Sequence, residues 1–288
     1  MLFSPTRLAA VSLQALPRKP LSRALGKIAR IERPGPTLAH VIDVYCRAYG
    51  VDLTDYEVPA GGFETFDAFF TRRLKDGRRP LAQDVTTLLS PADGRLEDAG
   101  AIERDGRFRI KGSDYTLSDL LGDDEACDGY LGGQFLVVYL SPRDYHRVHA
   151  PVSGPVIRCH HVGGTLYPVN RIGIEHVPAL FARNERVVVH QRTADVGVVC
   201  TIMVGAIGVG RITTSFEQGV ETNCGPVWGL KTYTEETAPY LERGDELGTF
   251  HLGSTAIILL GPQVRWTVLR DVGSTVRMGE ALARRTTG

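Results

Sequence analysis

The sequence predicts an α+β fold, with a helical N-terminal region over residues 1–80 packed on a mostly antiparallel β body over residues 81–288. Three observations lead there. Apolar residues recur at helical spacing through the first quarter of the chain. After about residue 85, short β-rich runs take over, punctuated by Gly, Pro and Asp turns at hairpin-like intervals. Two internal echoes also suggest stacked hairpins: Ser90-Pro91-Ala92-Asp93-Gly94 resembles Ala150-Pro151-Val152-Ser153-Gly154, and Gly244-Asp245-Glu246-Leu247 resembles Gly279-Glu280-Ala281-Leu282. Together these give helices layered on a β body.

Taken in order, Leu8, Val11, Leu13 and Leu16 lie near one side of a helix that Pro17 ends. A second helix follows Pro20, with Leu21, Leu25 and Ile28 at helical spacing and Arg23, Lys27 and Arg30 largely elsewhere. Helical patterning continues over 37–50 (Leu38, Val41, Ile42, Val44, Tyr45) and 63–75 (Phe66, Phe69, Phe70, Leu74). Thr65 is a suitable N-cap for the latter, and Gly77 and Pro80 mark its stop. Strands are expected at Phe135–Leu140, Val187–His190, Val196–Val204, Ile207–Thr213, Ala256–Leu260 and Val264–Leu269.

Composition narrows the function. The 288 residues are 43% hydrophobic, ample for a core, and 33 basic residues balance 33 acidic ones, so no global field calls for nucleic acid. Five scattered cysteines without a CxxC pair argue against a disulfide framework and suit a reducing, cytosolic setting. The longest apolar stretch, Val198 to Val209, is broken by Gly205 and Gly208 and is too short to span a bilayer. Residues 1–33 nevertheless carry seven basic side chains against the single acid Glu32. With apolar residues on the other face, that segment reads either as an interfacial helix suited to anionic lipid or as ordinary surface helices packed on the body.

The chemistry-bearing residues are few. In Leu252-Gly253-Ser254-Thr255 a hydroxyl follows a glycine whose carbonyl no Cβ shields. A strained turn and a base would let the Ser254 oxygen attack that carbonyl; alone, the motif is a turn leading into a strand. His146 and His149, in a run dense with functional groups from Leu140 to Pro151, suit acid–base work. With Cys159, His160 and His161 nearby, zinc is a second reading, but no HExxH or paired Cys/His spacing supports it and no metal is expected. Asp93, within an ordinary Asp-Gly turn, completes a carboxylate, imidazole and hydroxyl set with His149 and Ser254.

Five segments in this order resemble the phosphatidylserine decarboxylases, of the membrane-associated bacterial type. They are Phe66-Asp67-Ala68-Phe69-Phe70-Thr71-Arg72, Ser90 to Gly94, Tyr139 to His149, Leu180-Phe181-Ala182-Arg183-Asn184-Glu185-Arg186-Val187, and Leu252 to Thr255. The resemblance implies a proenzyme that cuts itself between Gly253 and Ser254. His149, with Asp93, would deprotonate Ser254, whose oxygen attacks the Gly253 carbonyl to give an ester. β-Elimination would then release chain 1–253 and convert residue 254 of the small chain 254–288 into a pyruvoyl cofactor, the two chains staying together as a heterodimer open to higher assembly.

The same resemblance implies that the pyruvoyl ketone forms a Schiff base with the serine amine of phosphatidylserine and serves as electron sink as carbon dioxide leaves. His146 would return the proton that completes phosphatidylethanolamine. The loop Gly163 to Asn170 is a candidate lining for the lipid pocket. A lipid substrate also favours the interfacial reading of the N-terminus, as a peripheral protein on the cytoplasmic face of the cell membrane, held to an anionic surface. Two other classes fit parts of the pattern: a lipid-directed serine hydrolase using Asp93, His149 and Ser254 without cleavage, which lacks a Gly-x-Ser-x-Gly elbow, and a non-enzymatic membrane or carrier module.

Overall fold

Three helices gather at the N-terminal end and antiparallel strands make up most of the rest, with the short helices Leu117–Leu121, Arg171–His176 and Leu180–Arg183 and the 3-10 helix Asp124–Tyr130 among them. The computed structural model describes residues 17–208, 211–252 and 254–286, and at Ser254 the backbone alone. The helix expected over Leu8 to Leu16, and Gly253, lie outside the described residues.

Helix α1 (Arg18–Ala29) starts two residues before Pro20, earlier than expected. A proline in the first turn is tolerated because its missing N–H has no intrahelical partner there. Only Ser22 and Ala29 of α1 are buried, so most of its surface stays open. Helix α2 (Pro36–Tyr49) has proline in its first turn and ends on Gly50 at φ +68°, the left-handed cap that glycine adopts cheaply. Helix α3 (Phe66–Phe70) is capped by Thr65, whose side chain accepts the Ala68 N–H at 2.9 Å. It stops at Phe70, well short of residue 75, because the next residues are drawn into tertiary contacts: Arg147 donates to the Thr71 carbonyl at 2.9 Å and Arg72 to that of Arg143 at 2.9 Å.

The central sheet has nine strands, antiparallel throughout, with Ser254–Leu260 between Gln134–Leu140 and Gly197–Val204. Burial on both faces explains its unbroken apolar run: Ile257 and Leu259 enter one core cluster, Ile258 and Leu260 another, and Ala256 a third. A three-stranded sheet made of Arg211–Thr214, Glu246–His251 and Arg147–His149 leads directly into Ser254. Its first strand begins at Arg211, later than the expected Ile207.

The sequence echoes pair in space. Ser90 N–H donates to Glu280 O at 2.8 Å and Gly279 N–H to Ser90 O at 3.0 Å; likewise Ala150 N–H donates to Asp245 O and Gly244 N–H to Ala150 O, both at 2.8 Å. Leu89 N–H reaches Pro151 O and His149 N–H reaches Pro91 O, so each corner clasps the other about an approximate two-fold. Both corners need glycine where strands cross closely: a Cβ on Gly94 would collide with the Tyr139 carbonyl, and one on Gly154 with that of Arg192.

Candidate active site

The segment from Phe66 to Arg72 organises the site. Phe70 stacks on the His146 ring at 4.0 Å between centroids. Arg72, itself buried, donates to the carbonyls of Arg143 and Asp144 and lies over the Tyr56 ring at 4.1 Å. Asp144 in turn accepts both the backbone N–H and the hydroxyl of Ser141 at 2.7 Å, closing the loop that precedes His146.

His146 is fully buried, and neither ring nitrogen has a hydrogen-bond partner among the described residues. Burial, reinforced by the Arg72 charge and only partly opposed by the nearby Pro142 and Ser141 backbone, which falls short of full hydrogen-bond geometry, pushes its pKa down to about 3. It is therefore neutral at physiological pH. An unpartnered buried imidazole costs stability, and such a group is a candidate for work on a ligand.

His149 is held differently. Its Nδ1 lies 2.7 Å from the Gly244 carbonyl, which can only accept, so Nδ1 carries the hydrogen. That leaves Nε2 as the basic nitrogen, 3.0 Å from the Tyr145 hydroxyl. Burial lowers the His149 pKa, with the Gly244 carbonyl opposing, and the ring is poised as a neutral base.

Asp93 meets Arg79 fork to fork, with Nε to Oδ1 at 2.9 Å and Nη2 to Oδ2 at 2.6 Å, and accepts the Met278 N–H at 2.8 Å. Arg79 also donates to Asp55 at 2.9 Å. Asp93 does not hydrogen-bond His149, whose nitrogens are taken by Gly244 and Tyr145. Its charge reaches His149 only through space, where it favours the imidazolium alongside the larger influence of Glu246.

Ser254 opens the central strand opposite Leu140. Leu252, two residues earlier, has φ +85°, a left-handed backbone that costs a leucine about 1–3 kcal/mol. The strained residue is anchored from behind. His251 Nδ1 lies 2.9 Å from Asp67, which also accepts from Arg211 at 2.9 Å, and Arg211 donates to Glu221 at 2.7 Å. Burial opposes ionisation of Asp67, but the hydrogen bond from His251 and the His251 and Arg211 charges outweigh it and hold its pKa low. Along the chain, His146 pairs with Phe250 and His149 with Glu246, so His146 lies nearer in register to Ser254.

The loop Gly163 to Asn170 buries Leu166, Tyr167 and Val169 in the body and does not line the cavity beside Leu252. His161 pairs with Glu185 at 2.8 Å, and among the described residues no group of three or more His, Cys, Asp or Glu side chains is arranged to hold a metal ion. Arg79, Tyr145, Asp67, Arg211 and His251 carried no separate signal. Asp67 sits in the Phe66 to Arg72 motif, but its partners lie more than a hundred residues away.

The family model described as phosphatidylserine decarboxylase matches residues 66–284. A protein of Pseudomonas aeruginosa named phosphatidylserine decarboxylase proenzyme is 45% identical over 284 residues, 96% of each chain. Proteins of the same name from Brevibacillus brevis (40% identical, 94% of this chain and 95% of the relative) and Bordetella petrii (40%, 98% and 99%) align just as completely. These matches show that the chain belongs to the phosphatidylserine decarboxylase family.

Proposed function

We propose that the chain decarboxylates phosphatidylserine to phosphatidylethanolamine with a pyruvoyl group made from its own Ser254. The observation that carries this is the strained Leu252, locked through His251 to Asp67 and Arg211, immediately before the Gly253–Ser254 bond. Strain there raises the ground state of the bond to be attacked, and His149 offers a neutral Nε2 as base. Asp93 supports the imidazolium that forms, acting through space from its Arg79 cradle.

The chemistry of the site suits a pyruvoyl group at residue 254: both nitrogens of buried His146 lack partners among the described residues, and a vicinal dicarbonyl offers uncharged acceptors. That group would supply a ketone to condense with the substrate amine and an electron sink for the pair left by carbon dioxide. The chain's own part is protonic. A substrate carboxylate arriving near His146 raises that imidazole's affinity for a proton. Departure of carbon dioxide removes the charge and frees the proton for the carbon. Phe70 and Arg72 keep the ring in place and dry.

The N-terminal layer, residues 1–80, serves as the membrane-associating part and residues 81–288 as the catalytic body. No helix among the described residues is long and apolar enough to cross a membrane. Leu25, Ile28, Ile31, Val41 and Val44 are instead exposed on α1, α2 and their connection, beside Arg23, Lys27 and Arg30. Such a surface suits peripheral contact with an anionic bilayer.

Intact-mass measurement tests the core of the reading. Active wild type should contain a fragment of about 35 residues beginning at position 254 and lighter than its encoded mass, and Ser254→Ala should remain one 31.5 kDa chain without decarboxylase activity. A fully active, uncut wild type would sink it and leave the hydrolase-like alternative. For the membrane layer, Ile28→Asp with Val41→Asp should release the protein from anionic vesicles in sedimentation.

A further inference from the structure

A cavity of about 520 Å³ lies against α1 and ends on Leu252, next to the Gly253–Ser254 bond. Its volume falls within the range of about 300–1,000 Å³ typical of small-ligand sites. Helix α1 and its C-cap line it with Arg23, Lys27 and Arg30, spaced to share one side of the helix. The facing wall holds Arg211, Glu221 and Asp67.

The charges do not cancel. Arg211 is matched by Asp67 and Glu221, both of which it contacts directly. Arg30 lies 3.9 Å from Glu221, which is already engaged by Arg211. Arg23 uses Nε on the Asn223 carbonyl and side-chain oxygens, at 2.9 and 3.1 Å, and its terminal amino groups are not engaged by the described residues. Lys27 pairs with no carboxylate among the described residues. Four cations therefore share two carboxylates, and the surplus sits on α1.

The opposite side of α1 is apolar. Leu25, Ile28 and Ala29 line a second groove of about 430 Å³ with Leu38 and Phe66, and this groove also ends on Leu252. One helix thus separates a cationic chamber from an apolar one, and both open onto the residue before the scissile pair. A molecule with a phosphate between an amino-acid end and hydrocarbon chains matches that order of surfaces.

We propose that Arg23, Lys27 and Arg30 hold the phosphodiester of the phospholipid substrate, setting the distance from phosphate to residue 254 and so selecting the headgroup. The proposal rests on the decarboxylase reading and deepens it. Arginine forks and an ammonium suit phosphodiester oxygens, and these contacts are charge-assisted. They act on the substrate before and during reaction alike, so their loss should raise KM more than it lowers kcat.

The experiment must separate headgroup binding from attraction to a charged bilayer, so it uses dihexanoyl phosphatidylserine below its micelle-forming concentration. For Arg23→Ala with Lys27→Ala, the expected result is a KM raised about 10- to 100-fold, a kcat within about threefold, and normal cleavage at residue 254 by mass. Arg47→Ala, on exposed α2 and paired with Asp43, is the control and should match wild type. Calorimetry on the uncut Ser254→Ala chain needs no turnover: it should bind glycerophosphoserine and lose that binding with the double substitution, while inorganic phosphate at equal concentration binds far more weakly. An unchanged KM for the soluble lipid, with loss confined to vesicles, would overturn the proposal in favour of a membrane-surface role. Equal binding of inorganic phosphate would overturn it in favour of a free-anion site. A wild type that neither cuts itself nor releases carbon dioxide counts against the decarboxylase reading, whereas glycerophosphoserine binding isolates the cavity.

Discussion

The two clasped corners of the β body share a backbone and differ in chemistry. In one, Asp93 accepts the Met278 N–H at 2.8 Å; at the matching place in the other, Ser153 accepts the Arg243 N–H at 3.0 Å. Behind Asp93 stands the buried fork of Arg79, and behind Ser153 the exposed Glu242, at 2.7 Å. The residue before each corner also differs. Leu89 is buried in the core, whereas its counterpart His149 carries two polar contacts. The repeat therefore builds one geometry twice, and the proposed chemistry draws its acid from one copy and its base from the other. Where two copies of a scaffold diverge from apolar or neutral to ionisable, the divergence marks what the scaffold is used for.

The comparison is broken most severely at Asp93. Asp93→Asn keeps the shape and the Met278 contact but removes the charge that favours protonated His149. Self-cleavage should slow by about 10²–10⁴-fold, in keeping with the loss of acid–base assistance. Time-resolved gels of freshly synthesised chain would measure it, and cleavage at the wild-type rate would assign Asp93 a structural role like that of Ser153.

Next comes Arg79, which has no counterpart in the other corner. Arg79→Ala leaves the Asp93 carboxylate buried without its fork, and breaking such a pair costs about 3–5 kcal/mol. Urea unfolding should show the loss. Pairing it with Asp93→Asn should recover much of the stability, because no stranded charge remains.

Making the corners alike with His149→Leu tests the other half. His149, His146 and His190 are all held neutral by burial, with His146 pushed down to about 3 and His190 to about 4. Their folded-state pKa values lie below the unfolded one near 6.5, so the unfolded chain binds more protons as pH falls and stability declines from about pH 6.5 downward. Each histidine contributes up to about 1.4 kcal/mol per pH unit in that window. Asp144, raised by burial, works in the opposite sense. His149→Leu should abolish cleavage yet flatten the decline between pH 6.5 and 5 by up to one proton's worth, measured as urea midpoints across that range.

How much of this was legible in the chain depends on where the determining contacts lie. Thr65 as a cap, the strand that Ser254 opens and the echo of Ser90–Gly94 in Ala150–Gly154 are local, and turn chemistry and periodicity expose them. The length of α3 was not legible, because Arg72 and Thr71 leave the helix for partners some seventy residues on. Neither was the start of the strand at Arg211. Arg79 is one basic residue among many along the chain, and Tyr145 and Asp67 lie within motifs whose residue types alone assign them no partner. The family resemblance supplied roles for Asp93, His149, His146 and Ser254, whereas the strain at Leu252 and its Asp67–His251 anchor are properties of the folded backbone.

The smallest effect belongs to Ser153, and it is the one that sharpens the comparison. Ser153→Ala removes the acceptor for the Arg243 N–H and the donor to Glu242 at the same backbone position that Asp93 occupies in its own corner. The site is partly open to water, so solvent replaces much of what is lost, and the cost should be about 0.5–1.5 kcal/mol. Cleavage should proceed within about twofold of wild type, since neither His149 nor the segment before Ser254 touches this hydroxyl. A small stability loss with unaltered cleavage, set beside the opposite outcome at Asp93, would separate the scaffold from the chemistry at two positions that share one backbone. A Ser153→Ala chain that failed to cut itself would mean that the clasp as a whole, and not the Asp93 charge, controls the reaction.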